Sequence, residues 1–119
     1  MSRREDNIVL CKSMDFAIRI VNLYKYLCSE KTECILSKQL LRCGTSIGAN
    51  LHEAQESVSQ KEFESKLYIA LKEARETEYW LNLLFKTDYL SQAEFENINS
   101  DCTELLKLLV SIAKSLRNK

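Results

Sequence analysis

Apolar residues recur along this chain with the period of a helix. Phe63, Leu67, Ala70, Ala74, Thr77, Leu81 and Leu84 follow one another at alternating steps of four and three, and Phe95, Ile98, Cys102, Leu105, Leu109, Ile112 and Leu116 at steps of three and four. Side chains three and four positions apart share a helix face, so each set is one apolar stripe. Phe16, Ile20, Leu23 and Leu27 make a third stripe, and Leu40, Gly44, Ile47, Leu51 and Ala54 a fourth. The pattern predicts helices over about 8–29, 37–56, 59–86 and 91–117, each about 30 to 42 Å long at 1.5 Å per residue. Ser59-Gln60-Lys61-Glu62 and Ser91-Gln92-Ala93-Glu94 both fit a capping box, and Ser37 is placed to cap the second helix. Polar stretches at Ser29–Glu33 and Glu56–Ser59, and the short link Lys86–Leu90, separate the helices.

Composition narrows the fold further. The chain has 119 residues, no proline and two glycines, which leaves too few turn formers for a sheet protein and suits one all-α domain over 1–119. Short connections between helices of similar length favour an antiparallel up-down-up-down four-helix bundle. Seventeen basic side chains balance seventeen acidic ones, so no net field draws the chain to nucleic acid or an anionic membrane. No long uncharged apolar run is available to span a membrane, and no secretory segment follows Met1, so the expected location is cytoplasmic. Cys11, Cys28, Cys34, Cys43 and Cys102 are odd in number and widely spaced; they read as reduced, mostly buried small hydrophobes.

Candidate chemistry is sparse. Gly44-Thr45-Ser46-Ile47-Gly48-Ala49-Asn50 lies inside the second helix, where each glycine costs about 1 kcal/mol relative to alanine. No Gly-Lys-Ser/Thr and no preceding strand support a phosphate loop, so Gly44 and Gly48 are read as a close-packing face for a neighbouring helix. Arg42, Ser46, Asn50 and Glu53 form a polar stripe beside the apolar seam. Glu73 and Glu76 on the third helix are positioned to supply the counter-charge to a partly buried Arg42, giving a structural polar network. A di-iron carboxylate bundle needs Glu-x-x-His twice. The one histidine, His52, does not complete that motif, and no second base is present to activate a serine or cysteine. No catalytic residue, metal site, cofactor or small-molecule substrate is therefore expected.

Apolar residues outside the seams point instead to association. Tyr68, Leu71, Tyr79, Trp80 and Leu83 on the third helix, and Leu106, Leu108 and Val110 on the fourth, exceed what one narrow seam requires. Tyr68, Leu71, Trp80, Leu106 and Val110 are the candidate oligomer interface.

The run Leu36-Ser37-Lys38-Gln39-Leu40-Leu41-Arg42-Cys43-Gly44-Thr45-Ser46-Ile47-Gly48-Ala49-Asn50-Leu51-His52-Glu53-Ala54, with Ser59 through Phe63 and then Ile69 through Thr77, resembles the bacterial four helix bundle protein family. Members of that family were first noticed as proteins encoded in intervening sequences of 23S ribosomal RNA genes, and the family is similar to the accessory variability protein of diversity-generating retroelements. The resemblance covers nearly the whole chain, and the arginine followed by Ser-Ile-Gly-Ala-Asn and Glu is its specific part. It implies a non-enzymatic bundle assembling as a ring-shaped homopentamer, with a reverse transcriptase and RNA or DNA as partners in the retroelement branch.

This chain departs from the strongly basic retroelement protein in being neutral overall. Residues 1–29 carry a local excess of two positive charges. The nucleic-acid candidates are Arg3, Arg4 and Lys12 at one end, and Lys114, Arg117 and Lys119 at the end of the fourth helix, which an up-down bundle brings to the same end. Two expectations follow: an oligomeric scaffold that binds a reverse transcriptase or RNA, or a protein-interaction module with no nucleic-acid role.

Overall fold

Four helices, α1 (Arg3–Glu30), α2 (Ile35–Ala54), α3 (Gln60–Lys86) and α4 (Gln92–Arg117), build an all-α fold. The computed structural model describes residues 3–118, with side chains described from Ile8 onward, and contains no strand among them. Each helix packs along the next in sequence, and α1 meets α4. The core is the set of stripes turned inward: Phe16, Ile20 and Leu27 from α1, Leu40, Ile47 and Leu51 from α2, Leu67, Leu81 and Leu84 from α3, and Ile98, Leu105 and Leu109 from α4 are all buried. Leu90, in the link before α4, is buried with them, so this link adds to the core.

The two glycines of α2 face α1 at close range. A methyl group placed on Gly44 would lie 2.9 Å from Cγ2 of Ile20, and one on Gly48 would lie 3.3 Å from Oγ of Ser13. Both glycines are buried, as are Ile20 and Ser13. The helix-propensity cost of two glycines is offset by the contact that they permit between the helices. Ser13 is satisfied locally, its hydroxyl donating to the carbonyl of Leu10 at 2.9 Å.

Helix starts differ in detail from the sequence expectations. α2 begins at Ile35, and Ser37 does not cap it: Ser37 is buried in the first turn, while Cys34 holds the N-cap position with no side-chain bond. The cap comes from Glu33, whose carboxylate accepts the backbone N–H groups of Ile35 at 3.1 Å and of Leu36 and Ser37 at 2.9 Å, and also the Ser37 hydroxyl. An anion at this end of a helix satisfies otherwise orphaned donors and meets the positive end of the dipole. Burial pushes the Glu33 carboxyl up, but the bonds from Ser37, Leu36 and Ile35 together outweigh it and hold the group below its ordinary range.

At α4 the capping box is complete. Ser91 accepts from the Glu94 N–H and Glu94 accepts from the Ser91 N–H, and that backbone bond is the main reason the Glu94 carboxyl titrates low. At α3 only half of the box forms, because Ser59 accepts from the Glu62 N–H while the Glu62 carboxylate reaches past it to the N–H of Val58.

The turn from α1 to α2 passes through Thr32 at φ 55°, and the turn from α3 to α4 through Asp88 at φ 69°. Aspartate tolerates that left-handed region; a β-branched threonine is strained there. The N–H of Glu33 closes the first turn on the carbonyl of Leu27 at 3.0 Å. Cys28 and Cys34 are disulfide-bonded across it, which corrects the expectation that all five cysteines are reduced. Six positions of separation within a turn bring their Cα atoms to 4.9 Å, inside the range a disulfide requires.

Two outcomes follow for stability. Gly48→Leu forces a branched side chain against Ser13 and is expected to lower the unfolding free energy by about 1–3 kcal/mol, read as a lower urea midpoint. Glu33 has its folded-state pKa below the unfolded one, so its contribution is present above the unfolded carboxylate value and is lost as pH falls through the folded value. Glu33→Gln should therefore lower the melting temperature at neutral pH and narrow its gap to the parent as the pH is taken down through the acid range.

Candidate interaction surfaces

The polar stripe of α2 lies at the surface of the α2–α3 groove. The Arg42 guanidinium bonds Glu73 at 3.3 Å, and it also contacts Glu76. Nε of Arg42 donates to Gln39 of its own helix at 3.2 Å, and the Trp80 indole N–H donates to the same Glu76 carboxylate at 3.0 Å. The Arg42 side chain is 48 % exposed, which corrects the expectation of a partly buried charge. It reaches the carboxylates from the rim of the groove, with Cys43 and Thr77 filling the buried layer beneath.

Ser46 and Asn50 do not join this network. Each turns back on its own helix, Ser46 donating to the carbonyl of Arg42 at 2.7 Å and Asn50 to that of Ser46 at 2.8 Å. Glu53 accepts from Lys66 of α3 at 3.2 Å, one further ion pair across the same groove. His52 is exposed.

The association candidates divide. Tyr68 is exposed at 44 %, and Leu71, Trp80 and Val110 are half-buried. Leu106 is buried in the core, so its expected place at an interface is corrected: with Ala113 it widens the inward stripe of α4, as a globular bundle helix requires.

Sequence reasoning missed an apolar surface on α1. Cys11, Met14, Ile18 and Val21 recur at steps of three, four and three, on the side of the helix opposite Val9, Phe16 and Ile20. Met14 is 49 % and Ile18 52 % exposed; Cys11 is exposed, and Leu10, Ala17 and Val21 at the edges are half-buried. Lys25 ends the stripe. The signal was available as a second heptad series within one helix, hidden because the inward series satisfies the search for a single seam.

The α1–α4 edge is polar by contrast. Lys12 pairs with Glu104, and Arg19 with Asp101 and Asn97, along the rim. Beside them lies a groove of about 530 Å³ floored by Leu23, Tyr26 and Ile98. Lys12, a nucleic-acid candidate, thus has its charge matched by Glu104, and that bond raises its pKa. Lys114 and Arg117 are exposed on the last turns of α4. The side chains of Arg3 and Arg4, and all of Lys119, lie outside the described residues.

Two thiols are placed where they do not react. Burial pushes Cys102 up to about 12 and raises Cys43, so neither offers a thiolate near neutral pH. Among the described residues no group of three His, Cys, Asp or Glu side chains could hold a metal ion, and no helix is long and apolar enough to cross a membrane.

The exposure of Arg42 sets the expected size of its contribution. Arg42→Ala should cost about 1 kcal/mol or less, the range of solvent-exposed ion pairs. Denaturant unfolding of Arg42→Ala, Glu76→Ala and the double variant measures the coupling, and a loss well above that range would show that the groove screens the pair from water.

The protein with this geometry has recognisable relatives. A solved structure from Bacteroides thetaiotaomicron, described as a protein of unknown function from the S23 ribosomal protein family, superimposes with a TM-score of 0.91 at 57% sequence identity, over 92% of this chain and 98% of that one. No match was found among curated proteins. The family model described as 23S rRNA-intervening sequence protein matches residues 5–111. This four-helix chain therefore belongs to the 23S rRNA-intervening sequence protein family.

Proposed function

We propose that this protein is a non-catalytic scaffold that assembles with copies of itself, its helices running antiparallel in up-down-up-down order, and presents the assembled surface to a macromolecular partner in the cytoplasm. The observation that carries the reading is the outward stripe of α1. A helix apolar on two opposite faces has one face too many for a monomer, and heptad spacing suits a helical counterpart. Tyr68, Ile69 and Tyr79 on α3 are also exposed and offer a second apolar surface. If different faces meet, the contact is heterologous, and a rotation that closes after five copies gives the homopentameric ring that the family resemblance implies.

A nucleic-acid role is the second reading, favoured by exposed Lys114 and Arg117 and by the repetition that a ring would give to a weak site. Matching of Lys12 by Glu104 argues for a small contribution, so binding to RNA is expected to be weak and lost at physiological salt. A reverse transcriptase is the protein partner this branch of the resemblance suggests.

Light scattering with native mass measurement tests the assembly. The expected result is an oligomer for the parent and a shift toward the 13.8 kDa monomer for Ile18→Glu and Met14→Glu, with helix content retained. A parent that is monomeric at micromolar concentration would refute self-association. Titration of labelled single-stranded RNA at low and physiological salt tests the second reading; absence of binding at low salt leaves a protein-interaction scaffold with no nucleic-acid role.

A further inference from the structure

We infer that Cys28 and Cys34 form a reversible redox-modification site at the α1–α2 corner, one that exchanges with low-molecular-weight disulfides of the glutathione type. The argument starts from the backbone. The corner is held by bonds that do not involve sulfur: Lys31 and Glu33 donate to the Leu27 carbonyl at 3.2 and 3.0 Å, and Glu33 caps α2 through three consecutive amides. The two Cα atoms stand 4.9 Å apart, and none of these hydrogen bonds uses a sulfur atom. Neither oxidation nor reduction therefore has to remake the fold.

Accessibility supports the same conclusion. Cys34 is exposed and Cys28 half-buried, so an external reagent reaches Cys34 first. With a separation of six the bond closes a short loop, so opening or closing it changes the chain entropy little and constrains little of the chain beyond this corner. Cys43 and Cys102 are buried in the core and Cys11 lies on the outer face of α1. None of them competes as a resolving thiol at this corner.

The exchange balances without further reagents. The Cys34 thiolate attacks the oxidant's disulfide, forming a mixed disulfide and releasing one half as thiolate. Cys28 then attacks the Cys34 sulfur and expels the second half. The protein loses two electrons and two protons, and the oxidant leaves as two thiols. A thiol reductant runs the same steps backward. The inference does not rest on the assembly reading, since labelling and light scattering report separately.

The test equilibrates the native chain in reduced and oxidised glutathione mixtures, quenches with acid, and counts N-ethylmaleimide labels by intact mass after denaturation. Five labels are expected in the reducing mixture and three in the oxidising one, matching five cysteines with two withdrawn. Trypsin should then yield the 26–31 peptide joined to the 32–38 peptide. Cys28→Ser should instead retain a glutathione adduct at Cys34, because the resolving thiol is gone. Five labels in every mixture would overturn the inference, as would a linkage that includes Cys11, Cys43 or Cys102. Three labels persisting in excess reductant would equally overturn it, by showing a fixed structural bond.

Discussion

Everything in this bundle is referred to the near contact of α1 and α2. With Gly44 against Ile20 and Gly48 against Ser13, a Cβ would clash with its neighbour at the first position and crowd it at the second. That contact fixes the rotation of both helices about their axes. On α2 it leaves Leu40, Ile47 and Leu51 facing the shared core and Arg42 at the edge toward α3. On α1 it commits Phe16 and Ile20 inward, and the opposite side, with Met14 and Ile18, must then face out. The polar groove and the apolar outer stripe are two consequences of one packing decision.

The two surfaces differ in what water can do to them. Around Arg42 the charges are matched but wetted, so the network orders side chains and sets which groups flank the groove without supplying much free energy. At the outer stripe of Met14 and Ile18 the exposed groups are apolar, and the free energy available is that of apolar area removed from water, about 25 cal/mol per Å². Recognition at the first surface would depend on salt and geometry. Recognition at the second would depend on shape and area, and it would tolerate salt.

Strictly periodic stretches were the legible part of the sequence. The seams of α3 and α4 read directly because side chains at steps of three and four have no other way to share a face, and Ser91 with Glu94 marked a helix start that the structure caps in that manner. What escaped depends on contacts that no local rule contains. Glu33 caps α2 from outside the helix, a task the short-range pattern assigns to Ser37, because the left-handed Thr32 turns the chain so that the carboxylate faces the first amides. The pairing of Arg42 with Glu73 and Glu76 is legible from the polar stripe, but its degree of burial is not, because the guanidinium is long enough to reach both carboxylates from the rim. The Cys28–Cys34 bond is likewise a property of the corner, and widely spaced cysteines carry no sign of which two the fold brings together.

Trp80, the one tryptophan of the chain, has a bearing beyond its packing. Its indole N–H donates to Glu76, and Glu76 is shared with Arg42, so the one indole fluorophore is tied to the ion-pair groove between α2 and α3. Its emission is consequently a native optical gauge of that groove. Any event that withdraws Arg42, neutralises Glu76 or covers the half-buried ring changes the polarity around the indole, and it does so without a dye, a tag or an introduced residue.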